Sequence, residues 1–311
     1  SYIYGNRVIQ QDVTCLNGYY HVLDDVLVTP SNMAEVLRQN GTDEAYAKDK
    51  NVSTKYFSLL LDRFSAPYYD ANLTQQYKML YDIPADSIYQ KRYLANFSQG
   101  SKITSDPDGK PLGDFPYLSF DPGWNELASS ETMPKEQDMS AIFAPSDLAI
   151  ENYFIEGAGR TLMARYAKAK PVTAANLAYN LYQVPLDIIQ ALLRNLMKES
   201  FNESVPSKFL TIMNDAQDPM FNSYSSVDEY KSNIEKCLLA NNGVIYILKG
   251  VVAPADYAAV VAPVLYSSNT QIMKSVVRAD DNFIDGTQYN NAPLQKYFST
   301  YLKAMQSRFS F

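Results

Sequence analysis

The chain's one histidine, His21, stands just before Asp24 in the run NGYYHVLDDVL at 17–27. Imidazole titrates near neutral pH, so His21 is the first candidate for acid–base chemistry. Such a base needs a nucleophile and an orienting acid within reach, and the surrounding residues give little support for either. His21 reads instead as a core or sheet-end side chain bonded to a backbone carbonyl, and Tyr246 as the source of a similar phenolic bond at the equivalent later position. Ser146-Asp147 suggests a nucleophile with a helper, yet no G-x-S-x-G elbow surrounds it and the pair falls where a helix cap belongs. Asp106-Pro-Asp108-Gly109-Lys110 opens like a calcium loop, but Lys110 and Tyr117 occupy positions where an EF-hand needs oxygen ligands, so a turn is expected. Glycoside hydrolysis needs two carboxylates facing each other across a cleft, and among 34 acidic residues the sequence selects no pair. There is no P-loop, dinucleotide fingerprint or metal-ligand cluster. The expectation is therefore no catalytic residue, no cofactor and no metal.

Composition narrows the classes further. The 34 acidic and 27 basic side chains leave a formal charge of −7, which argues against a nucleic-acid surface. No apolar run reaches the roughly 20 residues that cross a bilayer. Cys15 and Cys237 form no C-x-x-C pattern and read as two apolar thiols beside buried strands, with a bond between them unsupported. Sequons at Asn40, Asn51, Asn72, Asn96 and Asn202 would carry glycans only in a secretory eukaryotic host.

The elements that must hold these residues are written twice. NGYYHVLDDVL at 17–27 returns as NGVIYILKGVV at 242–252, each preceded by a cysteine and followed by a proline, Pro30 or Pro254. A short helical pattern comes next in both places, SNMAEVLRQN and then PADYAAVVAPVL. KYFSLLLDRF from Lys55 and KYFSTYLKAM from Lys296 follow as helices. After the first of these a buried strand, SAIFAPSD at 140–147, arrives only beyond an insertion at about 65–139; after the second the chain runs SRFSF. The repeat divides the chain into the tail of one unit (1–31), one enlarged unit (32–256) and the head of a third (257–311). Within the enlarged unit, TLMARYAKAK reads as a helix closed by Pro171, and 171–196 as two helices parted at Pro185. The result is an α+β unit with a strand-rich core and helices at one end. DPDGKPLGDFPYLSFDPGW, inside the insertion, reads as turns and short hairpins.

FAPSD early in a unit and NG-x-x-H/Y-x-L near its end resemble the two signature segments of the fasciclin-type adhesion domain. The first matches through Phe143, Pro145 and Asp147. The second matches through Asn17, Gly18, His21 and Asp24, and again through Asn242 and Gly243, where Tyr246 and Lys249 depart from the family's His and Asp. Asn195 stands where the family often has a histidine. The long insertion is most similar to enlarged fasciclin domains of Bacteroidetes cell-envelope proteins. The resemblance implies an α+β fasciclin-like fold, with a β-sandwich or wedge core, a cluster of helices and a long insertion. It also implies an extracytoplasmic, non-catalytic binding module on the cell surface or periplasm-facing envelope, within a tandem array of like domains. Its partners would be protein or glycan ligands of a cell surface or matrix, and neighbouring domains of the same longer chain. Self-association through the incomplete end units stays open, and so does a carbohydrate-binding or carbohydrate-processing role.

Tyrosine is abundant, 25 residues against one Trp, and many aromatics fall in the insertion. Tyr89, Tyr93, Tyr117 and Trp124 are the candidate recognition surface, since exposed Tyr and Trp offer large faces with little entropy to lose. A satellite core that fastens the insertion to the unit is the other reading.

Overall fold

The structure, a computed structural model, describes residues 2, 3, 6–25, 31–81, 87–97, 102–123, 140–214, 219, 220, 226–254, 257, 283, 284, 287 and 288. Trp124, most of the second helical pair (254–265 and 296–305) and SRFSF lie outside these residues.

The chain opens with a ribbon of β1 (Tyr2–Ile3), β2 (Asn6–Cys15) and β3 (Gly18–Leu23), paired in that order and antiparallel. Three helices follow: α1 (Met33–Asn40), α2 (Asp43–Lys48) and α3 (Lys55–Asp62). Asn32 caps α1 by accepting the Glu35 N–H at 2.9 Å, and Thr42 caps α2 by accepting that of Ala45 at 3.1 Å. Then come β4 (Ser65–Tyr69), α4 (Ala71–Tyr81), β5 (Tyr89–Tyr93), β6 (Ala95–Phe97) and β7 (Leu118–Phe120). Next come β8 (Ser140–Pro145), α5 (Asp147–Glu151), α6 (Arg160–Tyr166), α7 (Ala174–Tyr182), α8 (Leu186–Leu196), β9 (Met197–Lys198), α9 (Val227–Lys231), β10 (Ile234–Ala240) and β11 (Gly243–Leu248), and later a short antiparallel pair, β12 (Phe283–Ile284) with β13 (Thr287–Gln288). The fold is mixed α+β, with several small sheets rather than one large one.

The central sheet runs β10-β11-β8-β9. β11 is parallel to β8, with Gly243 opposite Ser140, Tyr246 opposite Phe143 and Leu248 opposite Pro145. Every residue of β11 is buried, as a strand covered on both faces should be, and this explains its unbroken apolar run. Leu37, Phe57, Leu60 and Phe64 join the same core from the α1–α3 side, and Ile189, Leu192, Leu193 and Leu196 join it from α8. The helical periods of KYFSLLLD and LDIIQALLRNL thus become the buried stripes of α3 and α8.

Most of the insertion is present as two small structures. β4 and β5 form an antiparallel hairpin, Ser65 opposite Tyr93 and Tyr69 opposite Tyr89, with α4 inside its loop. β6 and β7 pair in parallel. Asp106 Oδ1 accepts the N–H groups of Asp108 (3.0 Å) and Lys110 (2.8 Å), and Gly109 takes φ +82, so this stretch is a tight turn, as expected. The helix α4 was not expected from the sequence.

The ribbon and the central sheet share a hairpin. β2–β3 turns on Leu16-Asn17 with Cys15 opposite Gly18, and β10–β11 turns on Asn241-Asn242 with Ala240 opposite Gly243. Both close with a matching backbone bond, Asp24 N–H to Arg7 O at 3.0 Å and Lys249 N–H to Asn233 O at 2.9 Å. The cysteines are not equivalent, for Cys237 pairs with Tyr246 rather than with the strand-opening glycine. Both thiols are free and exposed, not set in apolar surroundings as the sequence suggested.

Candidate functional site

Asp147 is fully buried at the start of α5, yet it does not cap that helix. Ser146 does so, its Oγ accepting the Ala149 N–H at 3.2 Å. Asp147 reaches across to α3: Oδ1 accepts the Tyr56 N–H at 2.8 Å, while Oδ2 accepts the Lys55 N–H at 3.0 Å and the Ser53 hydroxyl at 2.5 Å. Thr54, at the N-cap of α3, gives no side-chain cap bond, so the carboxylate supplies the acceptor those first amides need. Burial pushes the Asp147 carboxyl above its ordinary value, against the lowering effect of these three donors.

One turn on, Glu151 is also buried and fully engaged. Lys50 Nζ donates to its two oxygens at 3.0 and 3.1 Å, the Tyr56 hydroxyl lies 3.2 Å from Oε1, and the Tyr46 hydroxyl donates to the same oxygen. The Tyr46 hydroxyl and the Glu151 carboxylate hold the Lys50 ammonium above its usual range, and burial raises the Tyr56 phenol strongly. Both carboxylates are committed to protein donors that join α2, α3 and α5.

The second motif locks the other end of the sheet. Asn242 Oδ1 accepts the Met33 N–H at 2.8 Å, and its Nδ2 donates to Pro122 O at 3.0 Å, tying the β10–β11 turn to α1 and to the insertion just after β7. Gly243 takes φ +156, and a Cβ there would stand 2.1 Å from Ser140 O, so only glycine lets β8 begin beside it. The Tyr246 ring lies between Phe143, 5.0 Å away, and Phe209, 5.3 Å away, and burial pushes its hydroxyl up to about 12. Pro145 ends β8, and the ladder resumes at the next amide, Ser146 N–H to Leu248 O at 2.9 Å. Asn195 is buried on α8 and donates to Val252 O at 3.0 Å.

His21, expected in a core or at a sheet end with a bond to a backbone carbonyl, is exposed in the ribbon, and its Nδ1 instead accepts the Asp12 N–H at 3.2 Å. Asp12 sits at a register shift of the ribbon with φ +56, so His21 pins a bulge. Asp24 accepts the Arg7 N–H at 2.7 Å and closes the ribbon.

The aromatic candidates separate. Tyr93 and Tyr117 are only 6% and 5% exposed, which corrects their assignment to a recognition surface. The Tyr93 hydroxyl donates to Asp62 of α3 at 3.1 Å; the Tyr117 hydroxyl donates to Ile103 O at 2.8 Å within the insertion, and Gln190 Nε2 of α8 donates to Tyr117 O at 2.7 Å, so both residues help fasten the insertion. Tyr89 is 59% exposed and meets Tyr69 edge-on, ring centres 6.0 Å apart. Beside this pair, α4 exposes Leu73, Tyr77, Leu80 and Tyr81, with the Tyr77 and Tyr81 rings 4.5 Å apart. Those four residues fall on one side of a helix by spacing. The α4 segment is tied to the hairpin, because Asp70 N–H donates to Ile88 O at 2.9 Å and Ile88 N–H to Thr74 Oγ1 at 2.9 Å. Tyr69, Tyr77 and Tyr81 belong to the aromatics of the insertion that the sequence offers, and the i, i+4 spacing of Tyr77 and Tyr81 is the signal that would have singled those two out.

Among the described residues no group of three or more His, Cys, Asp or Glu is placed to hold a metal ion, and no helix is long and apolar enough to cross a membrane. The chain matches no known family model, no curated protein and no solved structure.

Proposed function

We propose that this chain is a non-catalytic binding module of the fasciclin-type adhesion kind, working outside the cytoplasm within a tandem array. Residues 1–31, 32–256 and 257–311 are then the tail, the whole and the head of successive units. The observation that carries the reading is the division of aromatics in the insertion. Tyr93 and Tyr117 anchor it, while Tyr69, Tyr89, Tyr77 and Tyr81 stand outward beside Leu73 and Leu80. A monomer seldom leaves so many large apolar side chains together in water unless they meet a partner. The reading is further supported by Ser146, Asp147, Glu151 and His21, all committed to hydrogen bonds that hold backbone or helices in place.

The test is binding of the full chain to an array of cell-surface glycans and matrix proteins, beside a Tyr77→Ser/Tyr81→Ser variant and a Tyr69→Ser/Tyr89→Ser variant. Binding that weakens at least tenfold in either variant, with unchanged circular dichroism, supports recognition through the insertion. Retention on the glycan spots alone selects the carbohydrate-binding form of the reading. Equal binding by wild type and both variants removes the tyrosines from the site and overturns the proposal.

A further inference from the structure

Two hairpins with one sequence pattern end in opposite surroundings. In the central sheet, β11 is seated between β10 and the parallel strand β8. In the ribbon, β3 is the last strand, and among the described residues it pairs with β2 alone. The difference runs along the whole strand. Val244 and Ile245 are 1% and 0% exposed, whereas their equivalents Tyr19 and Tyr20 are 69% and 48% exposed. At the strand-opening glycines the contrast is sharper: a Cβ on Gly243 would collide with Ser140 O at 2.1 Å, and one on Gly18 meets nothing within 4 Å. The ribbon thus keeps the glycine that admits a neighbouring strand, beside an edge that holds no described strand.

We infer that the edge of β3 away from β2, which holds no strand among the described residues, is a docking site for an extended apolar segment of the Ser140–Pro145 type, Ser-Ala-Ile-Phe-Ala-Pro, running parallel to β3. Transferring the observed β11–β8 register, Gly243 to Ser140 through Leu248 to Pro145, fixes the pairing. The segment's serine lies opposite Gly18, its isoleucine opposite Tyr20, its phenylalanine opposite His21 and its proline opposite Leu23. The phenylalanine then meets the His21 ring as Phe143 meets Tyr246. Backbone bonds supply much of the affinity, as in strand addition generally, and the alternating side chains set direction and register. The chain's own copy of this segment, β8, is held in the central sheet between β11 and β9, so the occupant is another segment of this chemistry. The site is separate from the tyrosines of the insertion, and each can fail without the other.

The experiment uses the full chain and a fluorescent synthetic peptide, Ser-Ala-Ile-Phe-Ala-Pro-Ser-Asp, with the same residues in reversed order as control. Anisotropy reads affinity, and amide hydrogen exchange reads which strand becomes protected. The expected result is binding of the forward peptide with new protection in β3, and at least a tenfold loss in Gly18→Ala, whose added methyl has room in the free chain but not beside an incoming carbonyl. A peptide with its phenylalanine replaced by alanine should also bind more weakly. Equal binding of the reversed peptide, equal binding by Gly18→Ala, protection confined to β11, or no binding up to the peptide's solubility limit would each overturn the inference. So would self-association of the chain through β3 that the peptide does not displace.

Discussion

Asp147 shows how far a residue's neighbours in sequence differ from its partners in space. The pattern FAPSD marks a cap, and a cap is what forms, but Ser146 closes α5 while Asp147 closes α3. Asp147→Ala should remove a cap worth about 1 kcal/mol and leave the Tyr56 and Lys55 amides without their acceptor, for a total of about 2–4 kcal/mol. Asp147→Asn should cost less, because Oδ1 can still serve Tyr56; urea unfolding of the three proteins checks the order, and equal stability of wild type and Asp147→Ala would refute the cross-cap. The buried phenols make a second prediction. Burial raises Tyr246 to about 12 and also raises Tyr93, Tyr153 and Tyr230, so each folded value lies above the unfolded one. Their contribution is complete below the ordinary tyrosine pKa of about 10 and is lost as pH rises through the folded values. Absorbance at 295 nm should therefore show the buried phenols ionising together with unfolding. A single smooth titration of all tyrosines, without unfolding, would contradict the burial. The bond that His21 accepts was not legible, because its donor belongs to a bulge at Asp12 that no periodicity announces.

At the scale of elements, the strands and helices that face the core were the legible ones. The apolar spacing of KYFSLLLD and LDIIQALLRNL and the unbroken run of GVIYIL state their own burial. The helix ANLTQQYKMLY does not, since only Thr74 is buried along it and its apolar residues point away from the protein. A helix that packs by one turn carries no core stripe to read. The same division predicts stability. Phe120→Ala should cost about 3–5 kcal/mol as a buried aromatic, and Tyr93→Ala about as much with the loss of its bond to Asp62. Tyr77→Ser and Tyr81→Ser should stay within about 0.5 kcal/mol of wild type, because they lose little contact. Denaturant midpoints for the four variants decide the matter: a large loss at Tyr77 or Tyr81 would make α4 part of the core rather than a displayed surface.

Over the whole molecule, the duplicated hairpin gives an internal experiment in what a neighbouring strand contributes. The pattern of the second strand, the turn length and the closing bond are shared, although the ribbon has two register shifts where the central hairpin has one, so large differences in protection between the copies report chiefly on surroundings. β11 sits in the interior of a four-stranded sheet and under helices, and opening it means disrupting the core formed by Phe57, Phe143 and Leu192. Isolated ribbons of two or three strands with both faces wet are marginal in water. Native-state hydrogen exchange should therefore place the Val244–Ile247 amides in the slowest class, opening only with global unfolding. The Tyr19, Tyr20 and Val22 amides should exchange at least about 100-fold faster, through local opening. Adding the parallel peptide should close that gap at β3 and leave β11 unchanged, since the strand already has its partner. If β3 exchanges as slowly as β11 without any peptide, the ribbon has a stabilising neighbour of its own, and the reading of 1–31 as the tail of an incomplete unit falls with it.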